Sequence, residues 1–95
     1  MKPGDLVLIR FPQTNLRIGK LRPALVVAVA PGRHADVLIA MITSRDYQAV
    51  SGFDEIVAQD DPDFSMTHLK TTSIVRLRRL TSTDPSAIEA RLGVI

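Results

Sequence analysis

Two short apolar runs, separated by a Pro-Gly turn, restrict this chain to a β-sheet fold more than any other feature. The runs Leu25 to Ala30 and Val37 to Ile42 are apolar throughout and rich in Val, Ile and Leu. Runs this short that end at Pro31-Gly32 are typical of buried strands rather than helices. Because neither run alternates with polar residues, we expect an antiparallel pair that is covered on both faces.

Further strands are predicted on both sides of this pair. In full, the sequence predicts strands at 5–11, 22–30, 35–44, 53–58 and 73–80, the last continuing to Thr83. The 53–58 segment is expected to be an edge strand, with Asp54 and Glu55 discouraging association with other sheets. Arg79 and Leu80 break the alternation of the strand before them, which predicts a bulge or turn there.

The C-terminal segment is predicted to form a short helix. Asp84 can cap it, Pro85 suits its first position, and Gly93 suits its end, while Ile88 and Leu92 share one face. No internal repeat or linker interrupts residues 1–95, so the prediction is a single, mainly β, barrel-like domain with a short C-terminal helix.

Composition excludes several classes of function. A chain of 95 residues is long enough for one core but too short for a deep internal site, so we expect a surface groove, completed by a second subunit in a homodimer. Cysteine is absent, which excludes a thiolate nucleophile and suits a reducing, cytoplasmic compartment. The apolar runs are far below the roughly 20 residues that cross a bilayer.

Positive charge is concentrated rather than abundant. The formal net charge is only +2, which does not by itself indicate a nucleic-acid-binding protein, but cations cluster at 17–22 and 76–79. Within the first cluster, Pro23 restricts the backbone around Arg22 at the start of a buried strand. A guanidinium mounted on a stiff backbone suits an anion-binding group, although most arginines are exposed and have no such role.

Five segments, in order, carry a family resemblance: PGDLVLIRFP, GKLRPALVV, MITS, SIVRL and a closing RLG. Together, between Gly4 and Gly93, they resemble the MazF/PemK toxins of type II toxin-antitoxin systems. The resemblance implies an SH3-like barrel of the MazF/CcdB-like toxin fold and a homodimer. It also implies a cytoplasmic endoribonuclease that cleaves single-stranded RNA without a metal or cofactor, inhibits translation and growth, and is neutralised by an antitoxin protein.

The resemblance also assigns residues to the reaction. Family members attack the scissile phosphate with the neighbouring ribose 2′-hydroxyl, and Arg22 and Thr43 match the catalytic arginine and hydroxyl. Arg22 would hold phosphate oxygens and Thr43 would polarise or orient the reacting groups. The candidate RNA-binding residues are Thr14, Arg17, Lys20, Ser44, Arg45 and Arg76. Thr43 is alternatively an ordinary threonine chosen for its strand propensity, and Arg76 is alternatively a solvated strand arginine with no role.

One position departs from the family pattern. Many PemK-type members carry an aspartate two residues after the arginine that Arg76 matches, as a proposed general base. Arg78 occupies that position here, so the sequence assigns no carboxylate to proton removal. Tyr47 is the one ring in a polar loop and is a candidate for base stacking.

Other polar residues carry weaker signals. His34 and His68 form no recognisable catalytic or metal motif, and Asp60, Asp61 and Asp63 are predicted to form a solvated turn rather than a calcium loop.

Two other functions remain open at the level of sequence. A CcdB-like toxin that poisons DNA gyrase would share the barrel fold, and a catalytically inactive regulator would keep the dimer and the antitoxin contacts. The pairing of Arg22 with Thr43 favours the nuclease, because a gyrase-binding protein has no evident need for an arginine and a hydroxyl at one phosphate site.

Overall fold

A computed structural model describes residues 1–10, 21–32, 36–44 and 52–95. The elements in this part of the chain are β1 (Asp5–Arg10), β2 (Leu21–Val29), β3 (Val37–Thr43), β4 (Glu55–Val57), α1 (Phe64–Thr67), β5 (Ser73–Thr83), a 3₁₀ turn (Pro85–Ala87) and β6 (Ile88–Val94). The strands form one antiparallel sheet in the order β4-β5-β3-β2-β1-β6. The predicted mainly β architecture and its strands are therefore confirmed, and α1 is an element that the sequence did not indicate.

The predicted antiparallel pairing of β2 with β3 is confirmed. Ala24 pairs with Met41 and Val26 with Ile39. Buried clusters lie on both faces of the sheet, as the uninterrupted apolar runs predicted. The first cluster is Val7, Ile9, Ala24, Val26, Val37 and Ile39, and we call its side of the sheet the Ile39 face. The second is Leu6, Ala40, Ile42 and Val75, with Leu25 packed against it, and we call its side the Leu25 face.

The predicted C-terminal helix is wrong beyond its first turn. Asp84 does cap a turn that begins at Pro85, and its Oδ1 accepts a hydrogen bond of 2.8 Å from the Ser86 amide. The chain then extends as β6, because it pairs along the open edge of β1, with Ile88 opposite Ile9. Gly93 is not a helix stop; a Cβ there would collide with the backbone oxygens of α1, so glycine lets α1 pack against β6.

The predicted bulge in β5 is confirmed. Opposite β3, the register passes from Leu80, paired with Ala40, directly to Arg76, paired with Met41. Residues 77–79 therefore form an enlarged bulge, and the backbone on either side of it can aim side chains in new directions. No helix in the described ranges is long and apolar enough to span a membrane.

Candidate functional site

Arg22 lies on a paired strand at one end of the sheet. It is the second residue of β2, opposite Ile9 of β1, and its side chain is exposed. The next residue, Pro23, is half-buried and pairs with Leu8. Since residues i and i+2 of a strand share a face, Arg22 continues the line of Ala24 and extends the Ile39 face beyond its buried cluster.

Thr43 reaches the same place from the neighbouring strand. It is the last residue of β3, partly buried, and pairs with Ile74 of β5. Continuing the register of the Ala24–Met41 pair by two residues puts Arg22 level with Thr43 on the Ile39 face. The sheet thus aligns a guanidinium and a hydroxyl at the same end, one strand apart.

Arg76 adds a second guanidinium to this face. It pairs with Met41 on the far side of β3, two positions from the level of Thr43. Its Nε is buried and, among the described residues, has no hydrogen-bond partner. A buried donor without an acceptor costs about 1–3 kcal/mol, so its presence calls for an explanation such as a role in catalysis, a bound ion or stored strain.

Asp54 is the polar residue that sequence reasoning misassigned. It was predicted to be an exposed edge charge, but its side chain is 0% exposed and its Oδ2 lies 3.6 Å from the Nε of Arg78. Of the two acids, only Glu55 is exposed, and β4, which it begins, does lie at the edge of the sheet as predicted. The position two residues after Arg76 carries no acid, yet the fold brings a carboxylate to Arg78 from another segment of the chain.

Several predicted residues lie outside the described ranges: Thr14, Arg17, Lys20, His34, Arg45 and Tyr47. Ser44 is described and exposed, immediately after β3. The structure therefore brings together three of the predicted residues, Arg22, Thr43 and Arg76, with Ser44 next in the chain to the second of them.

The remaining polar residues of interest have structural partners. The Nδ1–H of His68 donates to the carbonyl of Leu92 at 2.7 Å, and His68 adopts the left-handed conformation that ends α1. Asp61 Oδ1 accepts from the Asp63 amide at 2.9 Å, as expected of a turn. Within 1–10, 21–32, 36–44 and 52–95, no three His, Asp or Glu side chains are close enough to share a metal ion.

A groove of about 300 Å³ lies on the opposite side of the sheet from Arg22. Leu25, Val75 and Leu77 line it and belong to the apolar layer of the Leu25 face. Its carboxylates are Glu55, Asp61 and Asp63. An acidic, apolar groove repels phosphate, so the anion-binding groups and this concavity are separate features of the molecule.

Comparison with protein families gives one match. A family model described as "PemK-like, MazF-like toxin of type II toxin-antitoxin system" matches residues 2–95, which is nearly the whole chain. No individual curated protein matches it.

Proposed function

This chain belongs to the PemK-like, MazF-like toxin family of type II toxin-antitoxin systems, and from that premise we propose that it is an endoribonuclease that cleaves single-stranded RNA. The observation that carries the proposal is the placement of Arg22 level with Thr43 on one face of the sheet, with Arg76 one strand further. Two guanidiniums and a hydroxyl suit a phosphate and offer little to an uncharged ligand.

The reaction is a displacement within the RNA. The ribose 2′-oxygen forms a bond to phosphorus while the bond to the 5′-oxygen breaks, leaving a cyclic phosphate and a 5′-hydroxyl. Negative charge grows on the non-bridging oxygens, and the forked guanidinium of Arg22 can donate to two of them. The hydroxyl of Thr43 donates to the phosphate or orients the attacking oxygen.

Proton transfer is assigned to solvent. The 2′-hydroxyl must lose a proton and the 5′-oxygen must gain one. Asp54 is fully buried and ion-paired with Arg78, so it does not reach a substrate on the surface. We infer that water takes the first proton and supplies the second, and that positioning and charge stabilisation by Arg22 account for most of the acceleration, without a metal or cofactor.

The same features support the proposed partners. Arg76 and the candidates Thr14, Arg17, Lys20, Ser44 and Arg45 would track the RNA backbone, and a positive face also suits an antitoxin with an acidic segment. Exposed Leu21, Ile56 and Leu80 provide apolar surface for a homodimer in the cytoplasm. Cleavage of messenger RNA would inhibit translation and growth.

The test is to induce the protein and map the ends of the RNA fragments. We expect growth arrest, with 5′-hydroxyl and cyclic-phosphate ends at discrete sites, and the same cleavage by purified protein in EDTA. Intact RNA with stalled DNA replication would favour gyrase poisoning instead. Intact RNA with normal growth would favour an inactive regulator, and loss of cleavage in EDTA would contradict the metal-independent mechanism.

A further inference from the structure

We propose that Asp54 is a positioning residue for RNA binding: by engaging Arg78, its buried carboxylate leaves Arg76 available to the phosphate backbone. This inference rests on the proposed RNA-cleaving function and concerns how the same site is prepared. Asp54 touches no substrate in this proposal, because its side chain is 0% exposed.

The geometry makes two arginines neighbours of one carboxylate. Glu55 pairs with Val75, so Asp54, one residue earlier, is level with Arg76. The carboxylate nevertheless lies against Arg78, with 3.6 Å between Asp54 Oδ2 and Arg78 Nε. Arg76 therefore lies beside an acid whose Oδ2 is engaged with Arg78. Its own Nε is buried and has no hydrogen-bond partner among the described residues, and the same holds for Oδ1 of that acid.

The bulge in β5 explains how Arg78 reaches Asp54. If the ladder that pairs Met41 with Arg76 continued without interruption, residue 78 would lie opposite Ile39, a core residue that is 0% exposed. A charged group is not tolerated there without compensation. Because residues 77–79 leave the ladder, Arg78 instead approaches Asp54, and its side chain remains 35% exposed.

The charge balance couples the three residues. A fully buried carboxylate requires a cationic partner, and removing that partner leaves a charge that is costly to keep buried. While Arg78 fills this role, Arg76 can donate elsewhere on the Ile39 face. Without Arg78, Arg76 is an alternative cation level with Asp54 in the register, and pairing with Asp54 would withdraw it from the RNA path.

Simple electrostatics and a positioning role predict opposite changes in RNA affinity for one substitution, Asp54→Asn. Asp54→Asn keeps the size of the side chain and removes a negative charge close to the proposed RNA path. Coulomb attraction alone would then tighten RNA binding. If Asp54 acts by positioning, the neutral variant releases Arg78, which then competes with Arg76 for space and contacts, and binding weakens.

The experiment measures the affinity for a short RNA with a 2′-deoxy group at the cleavage position, across a range of salt concentrations. We expect Asp54→Asn to weaken binding about tenfold and to reduce the salt slope by about 0.7, the value of one phosphate contact on a single strand. Arg76→Gln should do the same, and the double variant should be no weaker than Arg76→Gln alone. Unchanged or tighter binding by Asp54→Asn would overturn the proposal.

Glu55→Gln is the matched control, since it removes the same charge one residue away at an exposed position on the groove side. It should leave the affinity and the slope unchanged, whereas an equal loss in both variants would mean that net charge rather than Asp54 is responsible. If Asp54→Asn does not fold, Arg78→Gln is measured instead. The same loss of RNA affinity is expected, because Arg76 would then pair with Asp54.

A second measurement separates this inference from the proposed function. The Nε–H signal of Arg76 in a ¹H–¹⁵N spectrum reports its surroundings whether or not RNA is cleaved. We expect Asp54→Asn and Arg78→Gln to shift that signal and Glu55→Gln to leave it in place. A shift in a protein that binds no RNA would retain the positioning role and reject the nuclease, and an unmoved signal would reject the positioning role alone.

Discussion

The two faces of the sheet differ in both charge and shape. On the Ile39 face, Arg76, Thr43 and Arg22 lie on three neighbouring strands of the sheet, β5, β3 and β2, and form the proposed phosphate-binding surface. The Leu25 face has a concavity of about 300 Å³, but Glu55 and two aspartates line it. For a ligand as charged as RNA, the location of the donors is more informative than the depth of a groove.

The comparison also separates two uses of a β-sheet. The Leu25 face joins the buried cluster of Leu6, Ala40, Ile42 and Val75 to the groove, so its side chains contribute mainly to stability. The Ile39 face has an equally buried centre, but its polar residues lie beyond the end of the buried cluster. If the assignment of function to one face is correct, substitutions on the two faces should affect different measurements.

The largest effect is expected for Arg22→Ala. We expect a loss of RNA cleavage of at least about 10²–10³-fold, because one donor aimed at developing charge contributes that much. The fold should persist, since the side chain is exposed. Cleavage of a defined RNA and the thermal unfolding midpoint are the two measurements.

Arg10→Ala is the matched control for Arg22→Ala. Arg10 is on the adjacent strand β1 and forms an exposed ion pair with Glu89, with 3.5 Å between Nε and Oε1. Such pairs contribute little to stability, so both cleavage and unfolding should stay near wild type. Equal losses in the two variants would mean that general positive charge, rather than the Arg22 position, drives the activity.

A smaller but still severe loss is expected for Thr43→Val. Valine keeps the branched shape at this partly buried position and deletes the hydroxyl. A hydrogen bond to a charged group contributes about 1.5–3 kcal/mol, which corresponds to roughly 10–100-fold in rate. Thr43→Ser, which retains the hydroxyl, should recover most of the activity. Wild-type cleavage by Thr43→Val would remove this residue from the site.

The sequence was sufficient to predict the strands on which the site is built. The apolar runs predicted β2 and β3 as a pair, and that pairing is what puts Arg22 level with Thr43. Local patterns sufficed because strand ends, prolines and apolar runs are properties of neighbouring residues. The roles of these residues were suggested by family resemblance rather than by any pattern, and they stay predictions.

Tertiary pairing decided what the sequence could not. The spacing of Ile88 and Leu92 fits a helix, but the open edge of β1 stabilises the same segment as β6. Asp54 was expected to be exposed because aspartate usually is; its burial depends on the register of β4 with β5 and on the bulge that brings Arg78 to it. Both features arise from strands that are distant in sequence.

A core substitution on the Leu25 face should change stability and leave the chemistry intact. Val75 is 1% exposed and lies between the second cluster and the groove. Val75→Ala removes two buried methyl groups, so the free energy of unfolding should fall by about 2 kcal/mol and the unfolding midpoint by about 10 °C. At 25 °C, cleavage per folded molecule should stay within about twofold. A parallel loss of activity would show that the two faces are coupled.

The smallest effect tests a carboxylate at the far end of the Ile39 face. Asp5 is 4% exposed, and it accepts hydrogen bonds from the Lys2 amide at 3.1 Å and from Arg91 Nε at 3.4 Å. Burial raises the pKa of Asp5, but the hydrogen bonds from Lys2 and Arg91, with the charges of Arg91 and of the N-terminal amino group, together lower it below its usual range.

Because the pKa of Asp5 is lower in the folded chain than in the unfolded chain, its contribution to stability is complete above about pH 4 and is lost as the pH falls through the folded value. Asp5→Asn should therefore unfold at a lower urea concentration than wild type at pH 7. This gap between the two urea midpoints should close in acid. Glu89→Gln, which removes an exposed acid, should show almost no gap at either pH. A gap for Asp5→Asn that persists unchanged at pH 2 would mean that packing rather than charge stabilises this end of the sheet.

Since Asp5 is far along β1 from the residue that pairs with Arg22, RNA cleavage by Asp5→Asn at pH 7 should equal that of wild type.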